Sequence, residues 1–272
     1  MASPGPKALA ASAETTLYGG ISTGMKPVGI YSTTTATPPT LTPLASISSV
    51  TPSAGVYIDG YYHVLSAYIR GSKVLLTTLE KYDTNTWQIV ESLSSGTDVP
   101  TSLVYNPKDG KTYGCYPANS SLFRLCTLDL TSGVKTNGGV LDQRYVALFT
   151  DNSGKVYGIG LDGNLCQLNL ETAEATVIGA TGVTPSIDVQ DACFDESTNT
   201  VYWFAHTADE SSLYTVDVTT GKATKVTDFA SPAIRWAGVF AKPAKKVEKP
   251  AFIAKMRTEF DKSSLTGKFI FT

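Results

Sequence analysis

Apolar and polar residues alternate along this chain with a period of two, in short runs broken by Gly, Asn, Asp or Thr, which predicts antiparallel hairpins and no helices. The alternation is clearest in LCTLDLTSG (125–133), LCQLNLETA (165–173) and LYTVDVTTG (213–221). In each, apolar residues alternate with polar ones before a turn, as at Cys126, Leu128 and Leu130 or Tyr214, Val216 and Val218.

These runs belong to a longer repeat. The segments AGVYID (54–59), SLVYNP (102–107), ALFTDN (147–152), ACFDES (192–197) and AGVFAK (237–242) each place an aromatic after small or apolar residues. Their aromatics Tyr57, Tyr105, Phe149, Phe194 and Phe240 are spaced by 48, 44, 45 and 46 residues, the length of one four-stranded propeller blade. A second frame holds Tyr18, Tyr62, Tyr113, Tyr157 and Tyr202. The first unit opens on this second strand with no first strand before it, and the last, Trp236 to Ala241, is a first strand with nothing after it. Joining the two gives an all-β, five-bladed β-propeller whose N- and C-terminal strands close the ring and leave no open sheet edge.

Composition narrows the function classes. A net charge of −2 and a pI near 5.7 provide no basic field for a phosphate backbone, so nucleic acid is not an expected partner. No stretch reaches the apolar length of a membrane helix, so no membrane span is expected. Cys115, Cys126, Cys166 and Cys193 follow no metal-ligand spacing and interchange with apolar residues between repeats, which predicts buried free thiols. No cofactor loop or metal motif occurs, and His63 and His206 have no acidic or Cys partner at ligand spacing. Recurrent Asp59, Asp151 and Asp195, with Asn106 at the same place, are expected to serve the turns.

With the VYG element (156–158) and the LYTVDVTTG element (213–221), the chain resembles secreted or surface-attached bacterial propellers with YVTN or WD40-like repeats. In that group the propeller is followed by fibronectin type III-like modules that begin with a segment like SLTG (264–267). The division expected is an N-terminal extension over 1–13, a propeller over 14–242, a Lys/Pro linker over 243–250 and the start of a truncated fibronectin-like β-domain over 251–272. The resemblance implies a secreted or outer-surface bacterial setting, downstream β-domains of the same chain and an interaction role. It carries over no catalytic residue. The first blade, with STTTATPPT at 32–40, matches poorly in its later strands.

In a propeller the loops leading into the innermost strands share one rim with the loops between second and third strands. The positions that break the repeat on that rim include Arg144, Tyr145, Asp188, Gln190, Asp191, Arg235 and Trp236. Two guanidinium groups, aromatic faces and carboxylates suit stacking on sugar rings or gripping a peptide or carboxylate. Trp203 follows the second-frame tyrosine where His63, Gly114 and Gly158 stand in other blades, and with His206 beside it extends the candidate set. The competing structural reading pairs Arg144 and Arg235 with Asp188, Asp191 or Asp142 to seal the channel mouth, with Trp236 packed between blades.

Three functions are weighed. The first is a non-enzymatic binding or adhesion module recognising a glycan or a host or cell-surface protein at the rim. The second is a glycoside hydrolase, for which Asp98, Asp188 and Asp191 are the eligible carboxylates. The third is a purely structural spacer.

Overall fold

The computed structural model of the protein describes residues 14–47 and 50–242. These residues form five antiparallel sheets and no helix. From the axis outward, blade I holds Arg235–Ala241, Thr16–Thr23, Gly29–Thr34 and Thr42–Ser46. Blade II holds Thr51–Ile58, Tyr61–Arg70, Lys73–Asp83 and Gln88–Ser94. Blade III holds Ser102–Asn106, Lys111–Pro117 and Phe123–Leu128, with Lys135–Thr136 and Val140–Leu141 sharing its outer edge. Blade IV holds Tyr145–Thr150, Val156–Gly160, Asn164–Leu168 and Ala175–Ala180, and blade V holds Asp191–Asp195, Thr200–His206, Ser211–Val216 and Ala223–Asp228. The innermost strands neighbour one another around the ring, blade V against blade I included.

Ring closure follows the expected register. Leu17 lies opposite Ala241 and Tyr18 opposite Phe240, so the last strand completes the first blade. Of the stretch 32–40, residues 32–34 end the third strand of blade I and the rest lies in the connection to its outer strand. The outlying expectations for 1–13, 243–250 and 251–272 lie outside the described residues.

The core is divided into five apolar clusters, each shared by two neighbouring blades. Ile30 and Tyr62 share the cluster between blades I and II, Leu65 and Tyr116 that between II and III, and Cys115 and Leu148 that between III and IV. Ile159 meets Trp203 between IV and V, and Phe204 meets Trp236 between V and I. Each fully buried large side chain contributes roughly 1.5–3 kcal/mol, so every blade is held by both neighbours and none is stable alone. All four cysteines are buried and free, as expected of small hydrophobes. The recurrent acids serve turns: Asp151, Asp195 and Asn106 accept from backbone N–H groups two residues on, at 2.8, 2.9 and 3.0 Å.

Near the back end of the closing seam, Trp87, Tyr18, Phe240 and Tyr57 stack in sequence, with ring centroids 5.8, 5.2 and 4.8 Å apart. Lys242 lies over Tyr18 and Trp87 at 4.8 and 5.0 Å and donates to the Thr84 carbonyl at 2.7 Å. The end of the last strand is thereby tied to blade II.

Candidate functional site

The front face is the one on which the innermost strands begin and the second-to-third hairpins turn. Period-two alternation decides where its residues point. In blades IV, V and I the position four before the framing aromatic turns into the packing, so Tyr145, Gln190 and Trp236 are buried. Tyr145 donates to Asp142 Oδ1 at 2.9 Å, and burial pushes its phenol far above the ordinary value. Gln190 accepts from Trp203 Nε1 at 3.1 Å and donates to the Ser186 carbonyl at 2.8 Å, which ties the loop before blade V to its second strand. Trp203 is fully buried beside Tyr214, and Trp236 packs on Phe204 and Phe229 with centroids 5.0 and 5.5 Å away. These four residues are therefore corrected from ligand contacts to blade packing.

Asp191 is corrected for a different reason. It begins the innermost strand of blade V, yet Oδ1 accepts from Ser102 Oγ of blade III at 2.6 Å, and Oδ2 from the Gly238 N–H of blade I at 2.8 Å. Only a side chain directed into the axis reaches both blades. Ser102 Oγ in turn accepts from the Leu148 N–H of blade IV at 2.9 Å, so one buried carboxylate, with Ser102, links four blades. Burial dominates its proton affinity and raises the carboxyl to about 7, against the lowering effect of its hydrogen bonds. Gly238 is required here: its φ is +58°, and a Cβ would stand 2.4 Å from the Gly55 nitrogen.

Arg235, Asp188 and His206 form one network. Arg235 Nη2 bonds Asp188 Oδ2 at 3.0 Å, and this contact holds the Asp188 carboxyl below its ordinary value. His206 is buried with both ring nitrogens engaged: Nδ1 lies 2.7 Å from Ser186 Oγ and Nε2 2.9 Å from the Pro232 carbonyl. A carbonyl only accepts, so Nε2 carries the proton and Nδ1 accepts from Ser186. Burial lowers the imidazole below its ordinary value. His206 is thus a structural tie and no ligand contact. The structural reading holds for Arg235 and Asp188, which pair with each other, and for Trp236.

It fails for Arg144. At the channel mouth a cleft of about 270 Å³ is lined by Ser53, Pro100, Thr101, Phe123, Arg144 and Val189, among others, from blades II, III, IV and V. The Arg144 guanidinium sits 5.9 Å over the Phe123 ring, and its Nε is buried with no hydrogen-bond partner. Among the described residues no carboxylate comes within ion-pair distance of it. Burial lowers its proton affinity, while the charges of Cys115 and Asp188 act in the opposite direction. A part-buried cation on an aromatic face with one donor unmet has the chemistry to pair with an anionic group. Sequence reasoning selected Arg144 and missed Phe123 and Pro117, whose second-to-third hairpin showed no departure from the repeat strong enough to draw notice.

His63 is buried on the second strand of blade II, and burial lowers it to about 4. Among the described residues no group of three or more His, Cys, Asp or Glu is arranged to hold a metal.

No protein-family model and no curated protein sequence matches the chain. Solved structures do resemble it. A chain in the crystal structure of a nidogen/laminin complex superposes with a TM-score of 0.51 at 8% identity, covering 84% of this chain and 98% of that one. A Bacteroides fragilis protein named "putative 6-phosphogluconolactonase" superposes with a TM-score of 0.45 at 12% identity, covering 81% and 83%. At these identities the likeness is one of fold alone.

Proposed function

We propose that the propeller is a non-catalytic binding module that receives an acidic group of a glycan or protein ligand in the front cleft, in the secreted or cell-surface setting expected from the sequence. The single observation behind this reading is Arg144, a part-buried side chain that lines the front cleft, has no carboxylate partner among the described residues and keeps an unpartnered buried Nε. A purely structural spacer would gain nothing from keeping such a group unpaired, because a buried unmet donor costs about 1–3 kcal/mol. The glycoside hydrolase reading finds less support. Asp98 pairs with Lys135 at 2.5 Å, Asp188 pairs with Arg235, and Asp191 is bound by Ser102 and backbone N–H groups.

A glycan and host-protein array probed with the wild-type propeller and with Arg144→Ala tests the reading. Charge-assisted hydrogen bonds are worth about 1.5–3 kcal/mol, so hits should weaken by roughly tenfold or more while the melting temperature holds. An identical hit profile for the two proteins would overturn it.

A further inference from the structure

The second-to-third hairpin of blade II is a ribbon that the other blades lack. Its strands Tyr61–Arg70 and Lys73–Asp83 run 10 and 11 residues, against five and five in blade IV. The flanking strands stop short of its tip. Thr51, the first residue of the innermost strand, lies opposite Ala67, and on the other side the last support is Gly96, which accepts from the Thr77 N–H. Residues 68–76 continue as two strands with solvent on both faces, rising about 10 Å at the strand rise per residue. Since Thr51 marks the front edge and Ser53 lines the cleft, the ribbon stands on the front face.

Its side chains do not suit water. Tyr68, Ile69, Leu75 and Leu76 are 42, 50, 46 and 40% exposed. Tyr68 faces Leu76 and Ile69 faces Val74 across the ribbon, so successive pairs put apolar groups on both faces, with Leu75 as the extra residue of a bulge. Arg70 and Lys73 flank a two-residue Gly71-Ser72 turn with Gly71 at φ +63°, the conformation such a tight turn requires. The segment YIRGSKVLL contains two cations and no acid in a chain of net charge −2.

We propose that this ribbon docks the propeller on an anionic lipid surface. A flat protein surface would cover one face of the ribbon, whereas a bilayer interface closes around whatever enters it and covers both. The apolar pairs occupy the headgroup and acyl boundary, a layer about 5–10 Å deep. Tyr68 sits at the aromatic-favouring level, and Arg70 and Lys73, one residue pair beyond Ile69 and Val74, turn their long stems back to the phosphates. Among the described residues no helix is long and apolar enough to cross the bilayer, and the cleft holding Arg144 lies on the same front face as the ribbon. The proposal goes beyond the Arg144 reading and stands or falls separately.

The test is cosedimentation with phosphatidylcholine vesicles, with and without about 30% phosphatidylglycerol. Wild-type protein should pellet with the anionic vesicles. Ile69→Ser with Leu75→Ser, and separately Arg70→Gln with Lys73→Gln, should each weaken binding about tenfold or more. The pair Ile89→Ser with Val90→Ser, exposed on the outer strand, should bind like wild type. A Tyr68→Trp variant gives a readout independent of loss: its emission should shift to the blue on anionic vesicles. Failure of wild-type protein to pellet, undiminished binding by the ribbon variants, or unshifted Trp emission would overturn the proposal. Binding of the ribbon to a protein but to neither vesicle would overturn it in favour of a protein partner.

Discussion

Replacing Asp191 by Asn isolates the buried carboxylate on the ring axis. In an unfolded chain this acid titrates near 3.8, and in the folded ring burial raises it to about 7. The folded state therefore holds the proton more tightly, and the stability this residue contributes falls as pH climbs from about 4 to about 7. Each tenfold in proton affinity is about 1.4 kcal/mol, so the full fall is about 4 kcal/mol. His63 acts in the opposite direction. Its folded value is lowered to about 4, so its contribution is lost as pH drops below the ordinary imidazole range. The wild-type pH profile alone mixes the two, and the difference between wild type and Asp191→Asn removes His63. Asn cannot titrate, and its amide donor confronts the Gly238 N–H, a cost that does not change with pH. Urea unfolding of both proteins from about pH 4 to about pH 8 should show the wild-type advantage shrinking by up to about 4 kcal/mol, mostly below pH 7. A difference flat to within about 0.5 kcal/mol would mean that the hydrogen bonds from Ser102, Ala192 and Gly238 outweigh burial, and the reasoning would fail.

Four further outcomes are expected. Gly238→Ala should cost about 3 kcal/mol or more in the denaturation midpoint, from left-handed strain plus the clash with Gly55, whereas Gly60→Ala, with open space at its Cβ, should cost about 1 kcal/mol. Deleting Trp236 to Ala241 should abolish the cooperative calorimetric transition of the whole ring, and an unchanged melting temperature would contradict closure by this strand. Arg144→Ala should leave stability unchanged or raise it by up to about 1 kcal/mol, because an unmet buried donor is removed; a loss larger than that would show a structural role. Asp188→Asn should cost less than about 1 kcal/mol by chemical denaturation, since its pair with Arg235 is partly solvated.

The ring was legible because its evidence is periodic. The framing aromatics and second-frame tyrosines recur in register, and the incomplete ends match strand for strand, so Phe240 beside Tyr18 follows from counting. The site was less legible because the rim positions were read as places in a repeat without the direction of each side chain. Tyr145, Gln190 and Trp236 share a register that turns inward, and Asp191 points along the axis to Ser102, a contact 89 residues away in sequence that no local pattern encodes. Arg144 precedes the inward-turning position, so it is only part-buried and lines the cleft. The ribbon did leave a trace: the 48 residues between Tyr57 and Tyr105 are the longest of the four intervals, and the excess falls in the second-to-third hairpin of blade II.

The seam of blade I also has a mechanical consequence. Leu17 and Ala241 are opposite each other at one end of an antiparallel pair, so residues 14 and 242 leave the ring side by side. A pulling force applied through them loads the backbone hydrogen bonds one after another, as when tape is peeled, instead of all at once. The grip of Lys242 on Thr84, Tyr18 and Trp87 lies where that peeling begins, so it sets the first threshold that tension must cross.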